Sequence, residues 1–270
     1  MTSPRRRLDQ EVVRRGLRPD LASARAAIAE GRVLVGGAPA PKPTRLVAPG
    51  EAVVVQGPPP RYVGRAGEKL HAALEAFAVA PEGRAALDVG SSTGGFTDCL
   101  LQHGAASVLA VDVGRNQLHE RLRADPRVTV RERTDVRSLP VPALPGGAAV
   151  VTVDVSFISL RTVLPAVVAQ AAPGADVVLL VKPQFEADRA VVSRGRGVVR
   201  DPAVWAEALR GVVRTLHDLG AAIMGAMVSP LHGADGNVEL LVHALAPGHG
   251  RSDPGTVDVE GLVATAAGPA

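Results

Sequence analysis

Two residues of this chain fall at the carboxyl ends of apolar strands, the edge where open α/β sheets bind ligands. Val153-Asp154-Val155-Ser156-Phe157 places a carboxylate there, and Leu180-Val181-Lys182-Pro183-Gln184-Phe185-Glu186 places a lysine. Glu239 stands at the start of the last predicted strand, in Gly236-Asn237-Val238-Glu239-Leu240, and Lys69 sits on a helix leading into the sheet. A lone lysine buried at a strand end is costly unless it is paired or functional. Only three of the 30 Lys plus Arg residues are lysines (Lys42, Lys69 and Lys182), and two of the three lie at this edge. Arginine is effectively always charged, whereas lysine can lose its proton when buried or crowded by charge. The retained lysines therefore point to proton chemistry.

A second constellation lies upstream. The first strand runs into Asp88-Val89-Gly90-Ser91-Ser92-Thr93-Gly94-Gly95-Phe96, a glycine-rich turn that lets a nucleotide-type cofactor approach the backbone. Its spacing departs from G-x-G-x-x-G, which weakens a dinucleotide reading and suits S-adenosylmethionine, a cofactor with no pyrophosphate. Asp112 closes the second strand, about 20 residues beyond the turn, where an acid binds ribose hydroxyls. Asp135, after the third strand, is placed to meet the adenine amino group. Asp154 borders the same site.

The elements that must hold these residues alternate strand and helix, which implies a mostly parallel sheet covered on both faces. Strands are predicted over 85–89, 108–113, 128–131, 150–153, 177–181, 223–228 and 238–242, and helices over 66–79, 95–103, 116–124, 159–171 and 202–219. Residues 246–270, rich in Gly, Ala, Pro and Ser without periodicity, read as a disordered tail. Ahead of this body, residues 1–57 form a basic head of two short helices and short strands, joined by a proline-rich linker over 58–64. Residues 1–60 carry a net charge of +5 and 61–270 a net of −2, so the whole-chain +3 hides a marked asymmetry. Arg5, Arg6, Arg7, Arg18, Arg25 and Arg32 cluster in the head, as RNA phosphates require, and Arg65 follows at the entry to the body.

Composition removes several classes. Aromatic residues are 2% of the chain, which excludes recognition by a sheet of stacking aromatics. The single cysteine, Cys99, excludes an internal disulfide framework and a multi-cysteine zinc site, and the seven histidines lack metal-ligand spacing, so no metal is expected. No stretch approaches the roughly 18 apolar residues of a membrane span. A cytoplasmic protein, monomeric when free and with no membrane partner, is expected.

Residues 6–56, from Arg7-Leu-Asp through Leu21-Ala-Ser-Ala-Arg25 to Gly31-Arg-Val-Leu-Val-Gly-Gly37, resemble the S4-type RNA-binding domain. Arg65-Ala-Gly-Glu-Lys69-Leu, the Asp88 turn, Asp154-Val-Ser-Phe-Ile-Ser-Leu, Val181-Lys182-Pro-Gln-Phe-Glu and Gly-Val-Val-Arg200-Asp-Pro resemble the TlyA family. These are ribosomal RNA 2′-O-methyltransferases with a historical haemolysin label and an FtsJ-like catalytic domain. The resemblance implies a Rossmann-like methyltransferase domain over 65–245 with a seven-stranded α/β sheet, preceded by a small α+β S4-type domain. It implies S-adenosylmethionine as methyl donor, and a cytidine 2′-hydroxyl of 16S and/or 23S RNA, within 30S and/or 50S subunits, as acceptor. It also implies a catalytic tetrad of Lys69, Asp154, Lys182 and Glu239. Lys182, its pKa lowered by Lys69 and partial burial, is expected to orient and deprotonate the hydroxyl, with the two acids holding the lysines. Ser229-Pro-Leu-His-Gly-Ala-Asp-Gly-Asn237 departs from the family's Ser-Pro-Ile-x-Gly-Pro-x-Gly-Asn, which bears on the approach to Glu239. The competing readings are a membrane-active haemolysin and a catalytically inactive, RNA-binding assembly factor. The intact tetrad and the lack of a spanning helix oppose them.

Overall fold

The computed structural model describes residues 5–18, 20–57, 60–233, 236–250 and 255–268, and the chain divides into compact units over 1–64 and 65–270. Residues 58 and 59 of the expected linker lie outside the described residues.

The first unit runs β1 (Arg6–Arg7), α1 (Leu8–Arg14), α2 (Leu21–Ala29), β2 (Val33–Val35), β3 (Ala38–Pro39), β4 (Leu46–Val47) and β5 (Val53–Val55). Asp20 caps α2 by accepting from Ser23 N–H at 2.8 Å. Between β2 and β3 only Gly36 and Gly37 turn the chain, both at positive φ, as a two-residue hairpin demands. β2 pairs antiparallel with β3 and β5, and β1 with β4. Leu8, Val12, Ala24, Ile28, Val33 and Val47 form its apolar centre.

The second unit begins with α3 (Ala66–Ala76), β6 (Ala85–Val89), α4 (Gly95–Gln102), β7 (Ser107–Val111), α5 (Glu120–Arg123), β8 (Val128–Arg131) and β9 (Ala148–Val153). It continues with α6 (Leu160–Gln170), β10 (Ala171–Val181), α7 (Pro183–Glu186), α8 (Arg189–Arg194), α9 (Pro202–Asp218), β11 (Ala222–Val228), β12 (Leu240–Leu245) and α10 (Val259–Ala267). One seven-stranded sheet orders them β11-β12-β10-β9-β6-β7-β8. Pairings from β10 to β8 are parallel, and β12 runs antiparallel between β10 and β11. β9 and β10 are apolar because helices cover both their faces. On α9, Trp205, Leu209, Val212 and Leu216 form the buried stripe that meets the sheet.

Two expectations need correction. The helix expected over 116–124 shrinks to α5, because Asn116 takes a positive φ and Glu132 accepts the N–H groups of Asn116, Gln117 and Leu118. The tail is not disordered over 255–268. Val259 and Val263, one helical turn apart, bury against the core, and Asp258 caps α10 through Gly261 N–H at 3.0 Å. Gly255 lies so close to β11 that a Cβ there would stand 1.9 Å from the Ile223 carbonyl oxygen. The rest of that tail, 251–254 and 269–270, lies outside the described residues.

Candidate active site

The parallel strands β6, β7, β8 and β9 end on one edge, and their loops line a cavity of about 330 Å³, within the range of small-ligand sites. Gly90, Ser92, Asp112, Asp135 and Asp154, five of the residues expected to meet the cofactor, line it. Gly90 has φ +85°, and a Cβ there would sit 2.2 Å from the Asp154 carbonyl oxygen, so the turn packs directly on the β9 loop. Asp112 accepts from Ser92 N–H at 2.7 Å and from Gly114 N–H at 2.6 Å, which fixes its carboxylate at the cavity wall with lone pairs left for ribose hydroxyls. Asp135 caps the 3₁₀ turn Val136–Ser138, and its carboxylate is held below the usual range first by the hydrogen bonds of Arg137. Val113, Val136, Ile158 and Val163 supply an apolar surface for a flat base.

Other predicted cofactor residues have different work. Asp88 is fully buried and does not reach the cavity. Its oxygens accept from Thr97 Oγ1 at 2.6 Å and Thr152 Oγ1 at 3.0 Å, tying β6 to α4 and β9. Burial pushes its carboxyl up to about 7, against the pull of the two hydroxyls. Ser91, Thr93, Gly94, Gly95 and Phe96 do not line the cavity either. Gly94 has φ +98° and makes room for a helix: a Cβ there would lie 2.2 Å from the Leu122 side chain. Phe96 is buried on α4.

The four tetrad residues form two ion pairs. Lys69, on α3, donates to Glu239, which directly precedes β12, and both are buried. The Ser229–Asn237 loop wraps this pair closely, since a Cβ on Gly233 would stand 2.8 Å from Glu239 Oε1. Of the two departures from the family pattern, Leu231 accepts from Ser229 Oγ at its carbonyl, and Ala234 lies, with Asp235, outside the described residues. Lys182 Nζ lies 2.6 Å from Asp154 Oδ1 and donates to Ser156 Oγ at 2.9 Å. Asp154 Oδ1 is buried, and its contact with Lys182 is ionic without an aligned hydrogen bond, so the oxygen retains accepting capacity at the cavity wall.

Several residues of the site carry no periodic signal that sequence reasoning could follow. Ser156 is one. Phe157 is another: 93% exposed, at φ +65°, with its ring centroid 5.2 Å from that of Phe185. Its rarity in a chain with four Phe, and its place three residues after Asp154, was the available clue. Glu186 locks the two loops that carry Asp154 and Lys182. It accepts from Ser159 Oγ at 2.5 Å and Leu160 N–H at 2.6 Å, at the start of α6, and Arg161 donates to its backbone oxygen at 2.9 Å.

The arginines predicted to meet RNA are placed unevenly. Arg5 and Arg6 are exposed. Arg7 and Arg25 both bind Asp9, at 2.9 Å each, and Arg32 binds Glu30 at 2.6 Å. Arg18 is buried, and its Nη1 donates to the Leu17 carbonyl at 2.8 Å. Arg65 donates to the His232 carbonyl at 2.9 Å. Among the described residues, no group of three or more His, Cys, Asp or Glu converges as a metal site.

The residues around the cavity fit S-adenosylmethionine: an acid for ribose hydroxyls, an apolar wall for adenine, and glycines where the backbone must come close. Comparisons with known proteins agree. The family model of FtsJ-like methyltransferases matches residues 62–245. The 16S/23S rRNA (cytidine-2′-O)-methyltransferase TlyA of Mycobacterium tuberculosis is 49% identical over 87% of this chain and 88% of its own. YqxC of Bacillus subtilis, named as an rRNA methyltransferase, is 44% identical over 93% of this chain and 89% of its own. A solved structure from Streptococcus thermophilus, bearing the name hemolysin, has a TM-score of 0.76 at 37% identity, covering 97% of this chain and 96% of that one. With the family model over residues 62–245 and relatives 49% and 44% identical over most of the chain, this protein belongs to the TlyA group of FtsJ-like methyltransferases.

Proposed function

We propose that the chain methylates the 2′-hydroxyl of a cytidine in 16S and/or 23S ribosomal RNA, with the unit over 1–64 acting as an S4-type RNA-binding head. The observation that carries the reading is the Lys182–Asp154–Ser156 contact at the wall of a nucleoside-sized cavity. S-adenosylmethionine, when bound, supplies the methyl group as an electrophilic sulfonium carbon. The protein's task is to aim an oxygen lone pair and take up a proton, and positioning of this kind accounts for several kcal/mol of a barrier. Ser156 and Asp154 hold Lys182 Nζ from two sides, so the amine meets the hydroxyl at a fixed point. The new O–C bond makes the departing proton strongly acidic, and the Asp154 carboxylate beside Lys182 offers an oxygen to take it up. Lys69 and Glu239 form the second, buried pair of the site. Phe157, exposed beside the reacting centre, offers a face on which the acceptor's base can rest.

The test is tritiated methyl transfer to separated 30S and 50S subunits, followed by mapping of 2′-O-methyl sites. Label at a cytidine ribose is expected, and Lys182→Arg is expected to lower the rate by about 100-fold or more. Near-normal transfer by that variant would refute the assignment of Lys182.

A further inference from the structure

The catalytic unit holds a group of arginines that serve no internal ion pair. Arg194, Arg196 and Arg200 have exposed side chains and no ion-pair partner among the described residues. The acids that flank them are occupied: Asp188 caps α8 through Ala190 N–H at 3.1 Å, and Asp201 caps α9 through Ala203 N–H at 2.9 Å. Three cations within seven residues thus stand outside any ion pair among the described residues, with Asp188 and Asp201 engaged at helix starts.

A charged surface stretch is ordinarily just solvated, but this one is built tightly and tied to the active edge. Asn237 Oδ1 accepts from Val199 N–H at 2.9 Å, and its Nδ2 donates to the Gly197 carbonyl at 3.0 Å. Trp205 Nε1 donates to the Val199 carbonyl at 2.9 Å. Asn237 itself is buried and lies two residues before Glu239. The turn is close: a Cβ on Gly195 would stand 2.1 Å from the Val198 carbonyl oxygen, and Arg196 is held at φ +52°, a region arginine rarely adopts. Backbone strain of this kind persists where surrounding structure imposes it. The same segment continues from α7, which follows Lys182. One end of the arginine turn is therefore fixed to the segment that carries Glu239, and the other continues in the chain from the segment that carries Lys182.

We infer that Arg194, Arg196 and Arg200 form a phosphate clamp on the catalytic unit, holding the RNA backbone next to the reacting nucleotide. The inference rests on the proposed reading of the chain as an RNA methyltransferase. A rigid turn bearing unpaired guanidinium groups suits phosphate oxygens, which arginine binds through its planar fork. It would hold the strand locally, whatever the head contributes.

The experiment uses the full chain with Arg194, Arg196 and Arg200 all changed to Ala, and separately all changed to Lys. Transcribed 16S and 23S RNA serve as probes. The Ala variant should raise the KM for RNA at least about ten-fold and make the plot of log affinity against log salt shallower by about 2. Affinity for S-adenosylmethionine and thermal melting should stay at wild-type values, and the Lys variant should recover most of the salt slope. Unchanged KM and slope in the Ala variant, with wild-type methyl transfer intact, would overturn the clamp. So would a defect that the Lys variant shares in full, or loss of binding to mixed phosphatidylcholine–phosphatidylserine vesicles with RNA affinity untouched. If wild-type protein transfers no methyl to any RNA while the Ala variant still loses salt slope, the reaction is wrong and the clamp stands.

Discussion

The first unit buries its carboxylates under arginines, whereas the second buries one, Asp88, by other means. In the first, Asp9 and Glu11 are at most 1% exposed, and each is closed by two arginines: Arg7 and Arg25 on Asp9, Arg14 and Arg15 on Glu11. The hydrogen bonds of Arg7 and of Arg14 lead in holding these acids at about 2. In the second unit Asp88 is fully buried, accepting from the Thr97 and Thr152 hydroxyls, and burial lifts it to about 7. A small unit with few apolar residues is held together partly by local charge pairs. A large sheet can carry an acid that keeps its proton. Ion pairs recur in the second unit, with arginine on Asp98 and Glu186 but with lysine on Asp154 and Glu239.

That last contrast can be broken directly. If the catalytic pairs were only structural, like those of the first unit, Lys69→Arg would be silent. The expected result is a fall of about 100-fold or more in kcat with circular dichroism unchanged. Next in size, Glu186→Ala should free the loops carrying Asp154 and Lys182 and lower kcat about ten-fold, with affinity for S-adenosylmethionine preserved. Glu186→Gln, whose oxygen still accepts from Leu160 N–H while its amide nitrogen can donate to Ser159 Oγ, should recover most of that loss in single-turnover assays. Asp9→Asn strips the charge from a buried pair and should cost the first unit about 1–3 kcal/mol, read by denaturant unfolding.

The finest distinction is in pH. Acids held low contribute stability that is present above their unfolded value near 4 and is lost as pH falls through about 2, so acid should loosen the first unit over that window. Asp88 has the reverse sign: the folded state keeps a proton that the unfolded chain releases. Stability of the second unit should therefore decline as pH rises from about 4 to about 7, then level off. Hydrogen exchange resolved by unit would show the two opposite slopes, and Asp88→Asn should flatten the second. Parallel slopes would erase the comparison.

Much of this was legible in the residues. Strand ends could be read from apolar runs, so Asp112, Asp135, Asp154 and Lys182 were placed at the correct edge. The glycine turn was found, but its division of labour was not: Gly94 serves Leu122, and Asp88 turns inward to Thr97 and Thr152. Those facts depend on contacts between distant segments, which composition and period do not encode. Which lysine meets which acid was hidden for the same reason. The short helix α10 was missed because two valines among alanines and glycines make a weak period until a partner surface is known.

The pairing of Lys69 with Glu239 spans 170 positions. At about 5–20 residues per second, a ribosome needs on the order of ten seconds or more to make the chain between them. Through that interval the nascent protein holds its glycine turn and its first lysine without the acid that completes the pair. Only when β12 has emerged and slipped between β10 and β11 can the pair close. Contacts this distant along the chain form late in folding. The site would thus be complete only once the segment carrying Glu239 and β12 has been made and has joined the sheet.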